Sequence, residues 1–430
     1  MNNNEIRKLI GFYKHELTRN ILPFWINKSI DNANGGYFNC FDNTGEVLNS
    51  RDKYTWSQGR FVWLWSKLSS MECDTFTKKE GKQFLEYARL GCDFLLRNCL
   101  VGENDWRCVF VTDEFGTPKY LDGFDRLDTS IYADTFVILG LAKFSKVTGE
   151  EKVYIFAKKL YESVIDRVGR NDYLTVPDKV SKEYKIHGIP MILCNVTQEL
   201  YNAAKIFDKG YCALLLTNLE GYVNDVLTNY VDGNNVLHEV ILANNDFFNE
   251  PLGQYANPGH TLEDLWFMMD ALDILENSSS IPQISAIAKK AFNIGWDKEY
   301  GGLFHMCSID GGTPGYQSGE ADNDSVVKRI IEDWDNKLWW VHSEALYTSL
   351  RLYDRTNDKE FLTWHEKVFE YTFSVFPNLN RETREWLQIL NRYGKPQQKV
   401  VALPVKDPYH IIRNLVLLIE LLYKMFDIRG

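Results

Sequence analysis

The sequence predicts an all-α fold: an (α/α)6 barrel of six helical hairpins with short β pieces in the long loops. Three observations lead there. Twelve segments carry an apolar stripe of helical period, five long connections are spread unevenly between them, and no Pro- or Ser-rich linker divides the 430 residues. An open stack of helical pairs needs polar capping repeats, and none is recognisable, so closure into a ring is the expected solution. The length exceeds the roughly 100–200 residues of an ordinary domain, and the expectation is one large closed domain over 1–430.

In chain order, the first helix is expected over 4–27, an amphipathic segment with no apolar run of signal-peptide type. Helical stripes follow at 55–70, 79–98, 128–147, 150–168, 187–208, 209–229, 261–276, 281–295, 337–354 and 358–376. The last segment shows the pattern plainly. Ile411, Leu415, Leu418, Leu422 and Phe426 recur at spacings of four, three, four and four. The long connections fall at 29–54, 100–127, 230–259, 296–336 and 377–408, with β-like pieces at Gly36-Tyr37-Phe38 and Gly302-Leu303-Phe304. Gathered at one end of a barrel, such loops would build a site, because loops carry chemistry and helices hold them. The stretch 308–333, with its charged run from Lys328 to Asp335, is read as a solvated loop rather than a lid.

Composition narrows the function classes. The net charge of -11, with no cluster of Lys and Arg, disfavours nucleic acid as a partner. Eight cysteines without a Cys-x-x-Cys pair fit reduced thiols and a cytoplasmic location better than a disulfide frame or a zinc site. No apolar run approaches the ~18 residues that a membrane span needs. Aromatic residues make up 14% of the chain. They fill cores, and they also line sugar sites, where pyranose C–H faces pack on rings.

Four segments carry candidate chemistry. In Asn257-Pro258-Gly259-His260-Thr261-Leu262-Glu263-Asp264, Pro and Gly break the chain, and Thr261 with Asp264 reads as a capping-box start. That places His260 at a helix N-terminus, where the dipole favours a neutral imidazole able to act as a base. Glu263 would orient it or bond a hydroxyl; a plain turn capped by His260 is the structural alternative. In Asp407-Pro408-Tyr409-His410-Ile411-Ile412-Arg413, His410 and Arg413 share a helix face, a proton carrier beside a guanidinium. In Lys337-Leu338-Trp339-Trp340-Val341-His342-Ser343-Glu344, a carboxylate and paired tryptophans enter an otherwise apolar helix; core packing and a solvated Glu344 would explain them equally. In Trp56-Ser57-Gln58-Gly59-Arg60, a charged residue within an aromatic run requires a partner, either a ligand or a structural ion pair.

Taken together, these blocks resemble the N-acylglucosamine 2-epimerase superfamily, which also contains cellobiose 2-epimerases and mannose or sulfoquinovose isomerases. The resemblance runs in order from Gly35-Gly36-Tyr37-Phe38 through Trp56 to Arg60, Ser130-Ile131-Tyr132-Ala133-Asp134, Pro258 to Glu263, Trp296-Asp297-Lys298-Glu299-Tyr300-Gly301-Gly302-Leu303-Phe304, Trp339 to Ala345 and Glu385-Trp386, to Tyr409 through Arg413. It implies an (α/α)6 barrel, two catalytic histidines at His260 and His410, and substrate contacts from Arg60, Asn195, Glu263, Trp340, Glu344, Trp386 and Arg413. It implies an isomerase acting on a reducing sugar through an enediolate. Two histidines on opposite faces would invert C2, and one base would shift hydrogen between C2 and C1. No metal or other cofactor is required in that chemistry, although ATP as an activator that is not consumed and a homodimer are both habits of the family.

Within the family, Asn195 and Ile189-Pro190-Met191 are similar to the branch that interconverts N-acetylglucosamine and N-acetylmannosamine, which is the expected reaction. Gln198, Val341 and Arg384 depart from that branch's pattern, which keeps a neutral hexose or disaccharide open as the alternative, and His187 can in principle reach the same pocket. A glycoside hydrolase on the same barrel, using Glu263 with Glu344 or Asp134, is a more distant reading, and a non-catalytic sugar-binding scaffold more distant still. The absence of His-x-His spacing and of a Gly-rich dinucleotide fingerprint gives no support to a metal or NAD route.

Overall fold

The computed structural model describes residues 1–177, 181–315 and 324–429. Its helices are α1 (Asn3–His15), α2 (Leu22–Lys28), α3 (Thr55–Ser69), α4 (Lys78–Asn98), α5 (Ile131–Thr148), α6 (Glu151–Gly169), α7 (Gly188–Phe207), α8 (Cys212–Asp225), α9 (Pro258–Ile274), α10 (Ile281–Gly295), α11 (Ser325–Asp333), α12 (Trp339–Thr356), α13 (Lys359–Val375) and α14 (Tyr409–Arg429). A π-helical turn over Glu16–Ile21 joins α1 to α2, so the expected helix at 4–27 is one outer rod with a widened turn just before Pro23.

Six helices form an inner ring. α3 packs on α5, α5 on α7, α7 on α9, α9 on α12, α12 on α14, and α14 returns to α3, which closes the barrel. Each inner helix has an outer partner: α4 on α3, α6 on α5, α8 on α7, α10 on α9, α13 on α12, and α1 on α14. The chain's first helix therefore completes the hairpin begun by its last. Patterning explains which helices go where. Phe136 through Ala142 of α5 are buried without interruption, whereas α4 buries Phe84, Ala88, Cys92 and Leu95, a single stripe. At Gly59 a Cβ would overlap the Phe136 carbonyl, so this glycine lets α3 and α5 meet backbone to backbone.

One local unit occurs twice and holds two inner helices by their N-termini. Lys53 Nζ donates to Asp31 Oδ2 (2.8 Å) and Gly35 O (2.7 Å), and the Tyr37 N–H donates to Gln58 Oε1 (2.8 Å). In the second copy Lys337 Nζ reaches Asp297 Oδ2 (3.1 Å) and Gly302 O (3.4 Å), and the Leu303 N–H donates to His342 Nε2 (2.9 Å). The two β-like pieces foreseen in the sequence form antiparallel bridges, Tyr37 to Ile30 and Leu303 to Trp296, each entered through a tight turn that requires glycine, since Gly36 and Gly302 both sit at φ +74°. The lysines are fully buried, and their carboxylate and carbonyl partners supply what burial removes.

Two expectations are corrected. α11 lies within the connection read as loop, because Val326, Val327 and Ile330 give the segment an apolar face that packs inward; residues 316–323 of that stretch lie outside the described residues. The helix bearing His260 begins one turn earlier than expected, at Pro258, and its cap is Asn257, whose Oδ1 accepts from the His260 N–H (3.1 Å). All eight cysteines are unpaired, and among the described residues no helix is long and apolar enough to cross a membrane.

Candidate active site

A cavity of about 240 Å³ opens where the N-terminal turns of the inner helices converge. Each inner helix presents its first residues to it, with the positive ends of six helix dipoles aimed at one volume. Arg60, His260, Glu263, Trp340, His410 and Arg413 line it, and these predicted residues are brought together by four different segments of sequence.

The Trp340 ring packs near both histidines, 5.1 Å from the His260 ring and 5.6 Å from that of His410. Their environments shift them in opposite directions. His410 is buried, and its Nδ1 lies 2.7 Å from Glu344 Oε1. A carboxylate only accepts, so Nδ1 carries the hydrogen and Nε2 keeps a lone pair. Burial, with Arg60 and Arg413 nearby, pushes the imidazole down to about 3 despite Glu263, so His410 rests neutral. His260 has its Nδ1 2.9 Å from Glu239 Oε2. Burial alone would lower its pKa, but the Glu239 charge and hydrogen bond, helped by Glu263, raise it above the usual value. Against the helix dipole, which disfavours a charge on His260, stands a carboxylate at hydrogen-bond distance that favours it.

Below the histidines lies a charged floor. Arg413 donates to Glu263 and to Glu344 Oε1, while Glu344 also accepts from Trp266 Nε1 (2.8 Å) and Asn414 Nδ2 (2.7 Å). Glu344 is buried and acts through His410 rather than facing the cavity; the solvated alternative is ruled out. One donor atom each from Glu263, Glu344 and His410 lies within 4.8 Å of the others, a spacing that would suit a metal. The guanidinium of Arg413 already bridges the two carboxylates, and the hydrogen on His410 Nδ1 points at one of them, so the group does not fit a metal ion. Arg60 pairs with Asp407 and is surrounded by the Trp56, Phe136 and Tyr409 rings at 5.0, 4.1 and 4.9 Å, so the structural ion pair it required is present while the residue still lines the cavity.

Besides Glu344, two predicted contacts lie off the cavity. Trp386 is buried, donates Nε1–H to Glu16 Oε1 (2.7 Å) and stacks on Phe376, away from the cavity. Asn195 sits a turn deeper on α7 and lines a second cavity of about 280 Å³ with Lys143, Glu199 and Asp270, on the far side of Arg413. His187 is also outside the cavity, with its ring wholly buried behind Glu239. The sequence reading missed Glu239, His305, Tyr255, Met306 and Arg329, all lining the cavity. They come from the connections at 230–259 and 296–336, where no period marks an inward side chain, although His238-Glu239 following an apolar pair was a visible signal.

Residues 36–414 match the model of the N-acylglucosamine 2-epimerase family. N-acylglucosamine 2-epimerase from Bos taurus is 28% identical over 420 residues, covering 96% of this chain and 90% of the relative. Cellobiose 2-epimerase from Ruminococcus albus is 23% identical over 423 residues, covering 94% and 96%. The structure of cellobiose 2-epimerase from Bacillus thermoamylovorans B4167 superposes with a TM-score of 0.76 at 19% identity, covering 96% of this chain and 99% of that one. With an (α/α)6 barrel and a two-histidine cavity already described, the match over most of its length makes this chain a member of the N-acylglucosamine 2-epimerase family, and an enzyme of the isomerase class.

Proposed function

We propose that the chain interconverts N-acetylglucosamine and N-acetylmannosamine by proton removal and return at C2. The observation that carries the mechanism is the pair of imidazoles against Trp340 whose surroundings act in opposite senses, a carboxylate raising His260 and burial pushing His410 down to about 3. In the ring-opened sugar the C2 hydrogen is acidified by the C1 carbonyl. Neutral His410 removes it through Nε2, and the electrons pass to the carbonyl oxygen as an enolate that carries the acetamido group on C2. Protonated His260 then delivers a hydrogen to the other face of C2, which inverts the centre. The turnover leaves His410 charged and His260 neutral, the form that runs the reaction backwards or resets by exchange with water.

Arg60, charged and lining the cavity, supports the developing oxyanion. Phe136, Met191, Ile192 and Met306 give the cavity an apolar wall suited to an acetyl methyl group. The greater identity to N-acylglucosamine 2-epimerases than to cellobiose 2-epimerases favours the same substrate, 28% against 23%. A hydrolase needs a carboxylic acid free to protonate a leaving group, and Glu263 and Glu344 are both engaged by Arg413, while Asp134 is held by Arg167 and the Cys108 N–H.

Proton NMR in D2O tests this with each of N-acetylglucosamine, N-acetylmannosamine, mannose and glucose. Interconversion of the two N-acetyl sugars with deuterium entering C2 is expected. His410→Ala should stop both exchange and inversion of the epimer whose C2 hydrogen faces it, whereas His260→Ala should retain some exchange without inversion. Conversion of mannose to fructose, or inertness toward the N-acetyl sugars, sinks the proposal.

A further inference from the structure

Behind His260 stands a line of buried charged groups, and beyond Glu239 the mechanism has no use for them. Glu239 Oε2 holds His260 Nδ1 at 2.9 Å. Its other oxygen, Oε1, has no hydrogen-bond partner and faces His187 Nδ1, equally without one, across 3.6 Å. His187 Nε2 is in turn held by Asp264 Oδ2 at 2.8 Å. Asp264 and His187 are both fully buried, and Glu239 nearly so. An imidazole with one carboxylate at each nitrogen satisfies both only as the cation, with two N–H donors. An unfilled gap between two complementary buried groups, just beyond hydrogen-bond length, is a place where a small movement of Glu239 exchanges one partner for the other.

We infer that His187, held by Asp264, is a positioning residue that competes with His260 for Glu239 and so lets His260 lose its proton during turnover. While His260 is charged, Glu239 stays with it. Once His260 has given its proton to the substrate, the carboxylate is drawn across the gap to the His187 cation. Without that second partner Glu239 would hold the proton on His260, and the half of the cycle in which His260 is the base would slow. Burial would lower the His187 pKa, but Asp264 and Glu239 outweigh it and raise it to about 9, consistent with a permanent cation at neutral pH. Tyr132 from α5, Tyr230 after α8, Tyr255, Glu263 and His305 also face this line; the tyrosines stay neutral, and His305 is pushed down to about 4 by burial.

The test is a pH titration of ¹⁵N-labelled imidazoles in wild type, His187→Asn and Asp264→Asn, with no sugar present. Removing the His187 cation should raise the His260 midpoint by roughly one pH unit, and Asp264→Asn should move it the same way by less. In the epimerase assay, on whose reading the second arm rests, the rate in the direction that uses His260 as base should fall several-fold at pH 7 with little change in KM. A His260 midpoint that stays put or falls overturns the inference. If His187→Asn does not fold, Asp264→Asn decides by the same criterion. The titration remains decisive even if no sugar is turned over, so the two readings fail separately.

Discussion

Replacing Glu239 with glutamine isolates the interaction that makes His260 an acid. The side chain keeps its shape and can still accept from Nδ1, but the charge 2.9 Å from the ring is gone. A hydrogen bond to a charged group is worth about 1.5–3 kcal/mol, which corresponds to about one to two pH units. The His260 side chain is 35% exposed, so solvent screening reduces this, and about one unit is the working value. The sign follows from the causes. Glu239 raises the His260 pKa while burial lowers it, so in Glu239→Gln the midpoint falls below its position in the native protein. His410 is neutral down to about 3, so across pH 5–9 only the loss of the His260 proton limits the forward reaction. A pH profile of kcat/KM should therefore keep its plateau at low pH and lose activity about one unit earlier on the alkaline side, a deficit that approaches tenfold at pH above both midpoints. An alkaline limb that does not move in Glu239→Gln would show that this carboxylate does not set the charge of His260, and would remove the acid–base assignment.

Gly302→Ala should cost about 2–4 kcal/mol in denaturant unfolding, because φ is +74° and the added methyl would enter the Tyr371 ring; a cost below about 1 kcal/mol would refute the turn argument. Trp386→Phe should leave KM for the sugar unchanged and lose about 1.5–3 kcal/mol of stability, from the severed bond to Glu16; a raised KM with unchanged stability would return Trp386 to the site. His305, His342, His365 and His410 are neutral in the fold, pushed down by burial to about 4, 3, 4 and 3. Their contribution to stability is complete above the unfolded value near 6.5 and is lost as pH falls through 4 and then 3, with a slope of about 1.4 kcal/mol per pH unit for each group. Imidazolium ¹⁵N shifts from any of the four at pH 5.5 would contradict this.

The barrel was legible because its two layers write different patterns. Inner helices such as α5 are apolar all round, and outer ones such as α4 carry one stripe. The connection that became α11 was misread because its apolar positions, Val326, Val327 and Ile330, are few and surrounded by charge. At the site, His260 and His410 were identified by their blocks, but their charge states were not, since Glu239 is 21 residues from His260 and meets it only in the fold. Asn195 and Trp386 were misplaced for a related reason. Proximity in sequence to site residues says nothing of depth along a helix or of the face a side chain takes, and those decide whether it reaches the cavity. The repeated lysine staple was also written in the sequence, as Asp31 to Lys53 and Asp297 to Lys337, but its spacing differs between copies by the length of an inserted connection.

Depth along the inner helices explains how the site is organised. Arg60, Phe136, Glu263, Glu344 and Asn414 are each the sixth residue of their helix, counted from Thr55, Ile131, Pro258, Trp339 and Tyr409. At 1.5 Å per residue they form one layer about 7.5 Å below the helix starts. His260 is third and His410 second, so the proton carriers sit one layer higher. Within the lower layer Glu344 accepts from Asn414 and passes its charge up to His410, while Arg413 bridges Glu344 and Glu263. The lower layer thus fixes the tautomer of His410 through Glu344, while Arg60, Phe136 and Glu263 continue the cavity wall beneath the two histidines. The two lysine staples act on this division, because Lys53 and Lys337 anchor the turns that lead into α3 and α12, the helices that carry Arg60 and Glu344 at equal depth. A register shift of a single residue in either helix would move its sixth side chain by about 100° around the axis and out of the layer. The cost of burying two lysines is therefore offset where it matters to the chemistry, in holding the depth of two charges.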